Sequence, residues 1–219
     1  MAHTVSGELA QTYRQIEALL MLTKCLPLRH PLPPMRGATV SPDLALLLYE
    51  LVHAHAPALV VECGSGVSSL VLGYALESVG AGRLVAFEHD AAHAERSAAL
   101  VRRHGLERQV EIVHAGLQEM RLAGERWQWY GPEVEDTLVS RRAQLVLVDG
   151  PPGSLQPLAR YPALRRLGPF LAPEAVVVLD DVARPDEWAI TERWLREDSR
   201  LTLQRIAHEK GTAILTRSR

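Results

Sequence analysis

Five short apolar runs, four of which end in a carboxylate, alternate with helical segments along most of the chain. They are residues 58–62, 83–88, 110–113, 145–149 and 175–180. Runs this continuously apolar are typical of strands that are buried on both faces of a parallel sheet. Segments with the residue spacing of helices lie between these runs, at about residues 66–79, 91–105, 156–168 and 185–197. This alternation predicts a doubly wound α/β fold.

The end of the chain has a different pattern. Leu201–Ile206 and Thr212–Thr216 are strand-like, and only a short connection that contains Glu209, Lys210 and Gly211 separates them. A pair without an intervening helix predicts an antiparallel hairpin. We therefore expect a Rossmann-like, seven-stranded, mostly parallel sheet with a C-terminal antiparallel hairpin and helices on both faces.

The first forty residues precede this alternation. Residues 7–24 have helical spacing, and residues 27–34 contain four prolines, which favour an extended path. We predict that residues 1–40 form a cap and that residues 41–219 form the Rossmann-like domain. The N-terminal helix is a candidate contact for a homodimer.

Composition excludes several kinds of partner. The 219 residues carry 24 Lys and Arg against 26 Asp and Glu, so the chain lacks the basic excess of nucleic-acid-binding proteins. No apolar run reaches the ~18 residues of a membrane-spanning helix. The N-terminus lacks a signal-peptide pattern, and two cysteines, Cys25 and Cys63, do not suggest a disulfide framework. We predict a cytoplasmic protein without nucleic-acid or membrane partners.

Ligands of open α/β sheets bind beyond the carboxyl ends of the strands. After the first predicted strand, Gly64 and Gly66 let the backbone turn tightly and approach a ligand closely. Ser68 and Ser69 can donate hydrogen bonds there. Glu62, just before the turn, would attract a ligand with an ammonium or sulfonium group.

The second predicted strand ends in Glu88, His89 and Asp90. An acidic group at this position can accept hydrogen bonds from both hydroxyls of a ribose. We assign this role to Glu88 and expect Asp90 to cap the following helix.

Residues 115–143 lack clear periodicity and contain Trp127, Trp129 and Tyr130. A long connection of this kind is usually a lid or binding loop. We predict a loop whose aromatic side chains clamp a substrate or pin the loop to the body of the protein.

Carboxylates also follow the fourth and fifth predicted strands. If these strands are neighbours, Asp149 lies about 5 Å from Asp180 and Asp181. Two carboxylates at that distance repel by about 3 kcal/mol at an effective dielectric near 20. A divalent cation bound by oxygen ligands (Mg²⁺, Mn²⁺ or Ca²⁺), a shared proton, or an arginine such as Arg160 or Arg184 would offset this repulsion.

These motifs together resemble a class I S-adenosylmethionine-dependent methyltransferase. Residues 60–69 match the glycine-rich first motif of that family, residues 85–90 its acidic second motif, and residues 144–153 and 176–181 its fourth and fifth strand motifs. The resemblance covers about residues 38–217. It is closest to a bacterial group with an Asp-Gly-Pro-Pro fourth motif and a paired-aspartate fifth motif, and it extends more distantly to catechol-type O-methyltransferases.

The resemblance implies a set of cofactor contacts. Glu88 would bind the ribose, His89 would lie beside the adenine, and Asp149 would lie below the sulfonium and face the acceptor. The residues expected to bind S-adenosylmethionine or to border it are Glu62, Gly64, Ser65, Gly66, Ser68, Ser69, Glu88, His89, Gly116, Leu117 and Asp149.

The resemblance also implies the chemistry at the acceptor. Asp149 and Asp181 are the candidate catalytic residues, with Asp149 as general base or metal-held orienter. Asp149, Asp180 and Asp181 resemble the metal site of catechol-type enzymes, although those usually carry Asp-Asn where this chain has Asp-Asp. We expect O-methylation of a small-molecule or sugar hydroxyl, with Mg²⁺ or another divalent cation as a candidate cofactor. Two alternatives remain: a nicotinamide-dinucleotide oxidoreductase of the same architecture, and a non-catalytic module that binds the cofactor.

Overall fold

A computed structural model describes residues 2–35 and 37–217. The strands are β1 (Leu59–Cys63), β2 (Arg83–Glu88), β3 (Val110–His114), β4 (Leu117–Leu122), β5 (Glu125–Tyr130), β6 (Ala143–Val148), β7 (Leu171–Asp180), β8 (Leu201–Ile206) and β9 (Thr212–Arg217). The helices are α1 (Ala2–Cys25), α2 (Pro42–His55), α3 (Val67–Val79), α4 (Ala91–Arg103), α5 (Glu133–Leu138), α6 (Pro162–Leu167) and α7 (Pro185–Glu197).

Seven strands form one sheet in the order β3-β2-β1-β6-β7-β9-β8. The first five of these strands pair in parallel, whereas β9 runs antiparallel to both β7 and β8. The strand order reverses between β1 and β6, which is where ligands bind in sheets of this kind. The predicted fold and its C-terminal hairpin are confirmed.

The sheet has a hydrophobic core on each face, because successive strand residues point to opposite sides. Val60 packs in the core beneath α2 and α3, and Val61 packs in the core beneath α6 and α7. Both valines are fully buried, as expected for the continuously apolar strands of a parallel sheet.

Helix α1 packs against α2, and its residue Leu22 is buried in the same core as Val60. The division of the chain at residue 40 stays a prediction. Along α1, Leu9, Tyr13 and Leu20 remain more than half exposed, and dimerisation through this helix also stays a prediction. Within residues 2–35 and 37–217, no helix is both long and apolar enough to cross a membrane.

The prediction of a loop over residues 115–143 is wrong. This segment forms the two-stranded antiparallel β4–β5 sheet and then α5. Trp127 and Trp129 are buried, and the Trp127 ring lies 4.9 Å from the Tyr161 ring. These side chains therefore fasten the hairpin to the body of the protein. The helix expected over 156–168 is also shorter than predicted, since α6 begins at Pro162.

Candidate functional site

A cavity of about 620 Å³ opens where β1, β2 and β6 end. Because parallel strands end at the same edge of a sheet, residues that are distant in sequence meet there. The lining includes Gly64, Ser65, Glu88, His89, Tyr130 and Asp149. The volume is in the range of small-molecule and cofactor sites.

The turn after β1 depends on its glycines. Gly64 has a φ of +103° and Gly66 a φ of +145°, which L side chains rarely adopt. The Gly64 N–H donates to the Phe87 carbonyl at 2.8 Å, so the turn is tied to β2. Gly64 lines the cavity, whereas Gly66 begins α3 and is not among the lining residues.

Glu88 is only 5% exposed and is held from several sides. Its Oε2 accepts a hydrogen bond from the Ser65 hydroxyl at 3.1 Å, and its Oε1 accepts one from the Asp90 N–H at 3.0 Å. His89 Nδ1 lies 2.8 Å from Oε1. Asp90 caps α4 by accepting from the His93 N–H, as predicted. The carboxylate of Glu88 is therefore fixed at the cavity, where two neighbouring hydroxyls could reach it.

Glu62, Ser68 and Ser69 lie beneath the turn rather than along the cavity. Glu62 is fully buried and accepts hydrogen bonds from the Ser68 hydroxyl and, at 2.6 Å, from the Ser69 hydroxyl. Burial raises the pKa of Glu62 to about 7, against the two hydrogen bonds, which lower it. Both serine hydroxyls thus support Glu62 under the turn, and contact of these three residues with a ligand stays a prediction.

The structure leaves the expected contact of Gly116 and Leu117 with the cofactor as a prediction. The Gly116 carbonyl accepts from the Gly131 N–H at 2.8 Å, and Leu117 is the first residue of β4. Neither residue is among those that line the cavity. Both residues lie at the base of the β4–β5 hairpin, which the sequence analysis did not predict.

Three carboxylates converge beside the cavity, as predicted. Asp149 follows β6, Asp180 ends β7, and Asp181 has a φ of +65°. This left-handed turn brings the Asp181 side chain to the same place as that of its neighbour. One oxygen of each carboxylate lies within 4.8 Å of the others. Burial raises the pKa of Asp149 to about 8, while Arg160 lowers it.

Cationic side chains of the protein contact each of these carboxylates. Arg160 Nη2 lies 3.1 Å from Asp149 Oδ1 and 2.9 Å from Asp181 Oδ2. Lys210 Nζ lies 2.6 Å from Asp180 Oδ2 and 3.3 Å from Asp181 Oδ1. The arginine alternative was part of the sequence analysis, but Lys210 was missed, since it comes from the β8–β9 turn. Within the described part of the chain, each of the three carboxylates thus has a cationic side chain as a partner, while their oxygens are also close enough together to be ligands of one metal ion.

Tyr130 is one of the aromatic residues for which the sequence left two roles open, a substrate clamp or an anchor of the segment, and it lies at the site. Its side chain lines the cavity although the residue is only 3% exposed. Among the described residues, its buried hydroxyl has no hydrogen-bond partner. A buried polar group without a partner is costly, so a ligand in the cavity would supply the missing bond. The space comes from Gly150, where a Cβ atom would clash with this hydroxyl.

A second cavity, of about 840 Å³, lies next to the first. Its lining is mostly apolar and comes from α1 and the proline-rich segment, with Lys210 at one side. Gly37 and Thr39 line this cavity, while Ala38 between them lines the first. Segment 37–39 and the contact between Lys210 and Asp181 therefore lie at the border of the two spaces.

The sequence of the chain is similar to that of a known protein family. A family model described as a methyltransferase domain matches residues 61–182. No curated protein sequence matches the chain.

Three solved structures show a similar fold. A methyltransferase from Geobacter sulfurreducens is 18% identical, with 82% of this chain and 81% of that chain covered and a TM-score of 0.61. An O-methyltransferase from Bacillus cereus, in complex with SAH, is 17% identical over 93% and 90%, with a TM-score of 0.62. The O-methyltransferase TomG from Streptomyces achromogenes, in complex with SAM, is 22% identical over 83% and 82%, with a TM-score of 0.61.

Proposed function

The chain belongs to the methyltransferase family whose domain model matches residues 61–182, and we propose that it transfers the methyl group of S-adenosylmethionine to a hydroxyl group of a small molecule. The observation that carries this proposal is the shared cavity of Glu88 and Asp149 at the ends of β2 and β6. The structures from Bacillus cereus and Streptomyces achromogenes, with SAH or SAM bound, support the choice of cofactor.

The cavity has the groups that this cofactor requires. Glu88 would accept hydrogen bonds from the two ribose hydroxyls, and the turn at Gly64 and Ser65 would approach the methionine part. His89 would lie beside the adenine, and Tyr130 would find a partner for its buried hydroxyl. When bound, the cofactor would supply a methyl group that is carried on a positively charged sulfur. Transfer of the methyl group leaves this sulfur as a neutral thioether.

We assign the role of general base to Asp149. It borders the cavity, and its hydrogen bond with Arg160 is made through Oδ1, so Oδ2 would be the oxygen that accepts the proton of an acceptor hydroxyl. Asp181 positions Arg160 against Asp149 through its 2.9 Å contact. Transfer requires the acceptor oxygen in line with the methyl group at about 3–3.5 Å, which is a positioning task for the cavity walls.

The second cavity supplies room for the acceptor. Its lining includes Ile16, Leu19, Leu32 and Met35, so it favours an acceptor with an apolar body over a free sugar. Lys210 and segment 37–39 would lie between this body and the reacting hydroxyl. We also propose a cytoplasmic location, which the two unpaired cysteines support.

The cofactor is tested by isothermal titration with S-adenosylhomocysteine and, separately, with NAD. We expect micromolar binding of the first alone; binding of NAD alone would favour the oxidoreductase alternative. Transfer of labelled methyl from the cofactor to a panel of phenols and apolar alcohols then tests catalysis. Loss of transfer in Asp149→Asn, with cofactor binding retained, is the expected result, whereas a non-catalytic module would bind the cofactor without transfer to any acceptor.

A further inference from the structure

We propose that Lys210 and Arg160 take the place of a divalent cation among Asp149, Asp180 and Asp181, so that this site works without a bound metal ion. The inference rests on the proposed function only for the role of the site. That cationic side chains rather than a metal ion neutralise the three carboxylates is argued separately, from the contacts around them.

The contacts engage nearly all of the oxygens that a metal would need. Lys210 contacts Asp180 Oδ2 and Asp181 Oδ1, and Arg160 contacts Asp181 Oδ2 and Asp149 Oδ1. The remaining oxygen of Asp180, Oδ1, accepts from the Asp181 N–H at 2.7 Å. Among the described residues, five of the six carboxylate oxygens therefore make one of these contacts, and the sixth is Asp149 Oδ2.

Lys210 is held in place by its backbone as well as by its charge. Its carbonyl accepts from the Ala183 N–H at 2.9 Å, and the Gly211 carbonyl accepts from the Val182 N–H at 3.1 Å. The turn is thus fastened to the segment that follows Asp181. The Lys210 side chain is only 18% exposed, so its ammonium group lies against the carboxylates with little access to solvent.

The balance of charge leads to the same conclusion. Glu187 adds a fourth buried carboxylate, and Arg184 adds a third cation at 3.0 Å from Asp181 Oδ2. In the part of the chain that the structure describes, four carboxylates thus face three cations. A divalent ion would turn this local balance positive and would meet Lys210 and Arg160 at short range. Cations of the chain therefore neutralise the cluster, and Asp149 Oδ2 is left free to accept the acceptor proton.

The experiment measures Mn²⁺ binding by the loss of the free-ion signal in electron paramagnetic resonance. We expect the wild-type protein to bind no stoichiometric Mn²⁺ up to about 1 mM, the weak end of protein sites for divalent ions. Lys210→Met removes the ammonium but keeps a side chain of similar length. It should bind Mn²⁺ about tenfold more tightly or better, because the freed carboxylates supply oxygen ligands. Lys24→Met, which changes an exposed lysine on α1, is the matched control and should resemble the wild type.

Stoichiometric Mn²⁺ binding by the wild type that is lost in Asp181→Asn would overturn the proposal. Absence of binding in both the wild type and a folded Lys210→Met variant would overturn it too, since Lys210 would then not fill a cation site. If Lys210→Met does not fold, the wild-type titration still decides. Binding of S-adenosylhomocysteine is measured on the same samples, so failure of the proposed function is recorded separately.

Discussion

The hydroxyl of Ser65 donates to Glu88 Oε2 across 3.1 Å and so joins the turn after β1 to the end of β2. Ser65 also lies 2.9 Å from the Ser97 hydroxyl of α4, which fixes its orientation. The carboxylate of Glu88 is thus oriented before any ligand binds, as a well-supported binding site requires.

Replacement of Glu88 by alanine should weaken binding of S-adenosylhomocysteine by about 1–3 kcal/mol, because hydrogen bonds to a charged group are lost. Calorimetric titration measures the change. Glu111→Ala, on the exposed side of the neighbouring strand β3, is the control and should bind normally. Unchanged affinity in the Glu88 variant would remove this residue from the cofactor site.

Tyr130→Phe should weaken binding of the same ligand about fivefold, since the variant lacks the buried hydroxyl that has no partner within the described chain. Thermal stability should be nearly unchanged. Tyr161→Phe provides the comparison, because the Tyr161 hydroxyl donates to Glu197 at 2.7 Å, away from the cavity. If the two variants bind equally well, the hydroxyl of Tyr130 does not contact the cofactor.

Arg160→Met should lower the free energy of unfolding by about 3 kcal/mol or more, because it removes the buried cation that contacts Asp149 and Asp181 together. Urea unfolding measures this quantity. Arg184→Met should cost less than about 1 kcal/mol, since the Arg184 side chain is 51% exposed. Equal losses in the two variants would contradict the central position of Arg160.

Glu62 predicts a dependence of stability on pH. Its pKa is raised from 4.5 to about 7 in the folded protein, so the folded state binds this proton more tightly than the unfolded state does. The contribution of Glu62 to the free energy of unfolding is therefore complete below about pH 4.5. It is lost as the pH rises towards 7, by up to about 3 kcal/mol.

Glu62→Gln should make the fall of stability with pH less steep, while Asp149, whose pKa is also raised, keeps its own contribution; urea unfolding between pH 5 and about 8 provides the measurement. Glu95→Gln, on the exposed surface of α4, should keep the slope of the wild type. A Glu62→Gln variant whose stability falls with pH as steeply as the wild type would show that Glu62 does not carry the effect.

The parallel strands and the positions of Glu88 and Asp149 follow from local sequence. Four of the five apolar runs are continuous because they are buried on both faces, and their terminal acids therefore lie at the carboxyl edge of the sheet. Once the strands are aligned, Glu88, Asp149 and Asp180 must share that edge. Their meeting needs no knowledge of side-chain packing.

The sequence of the β4–β5 hairpin has a weaker strand pattern than the parallel strands have, because only one face of the hairpin is apolar. Trp127 and Trp129 alternate with Gln128, and Gly124 has a φ of +84° in the turn, which together could have indicated a hairpin. Lys210 could not be placed from sequence, and for Tyr130 the sequence left a substrate clamp and an anchor as alternatives. Each reaches the site from a hairpin whose position depends on how it packs against the rest of the fold.

The reversed direction of β9 has a consequence for how such a site diversifies. Because β9 runs against β7, the turn that precedes it opens at the same edge where the parallel strands end. A parallel final strand would begin at the far edge and carry its preceding turn away from the chemistry. Substitutions in the short connection at 207–211 can thus change the charge next to the proposed acceptor. The ends of β1 and β2, which we propose to bind the cofactor, would remain unaltered.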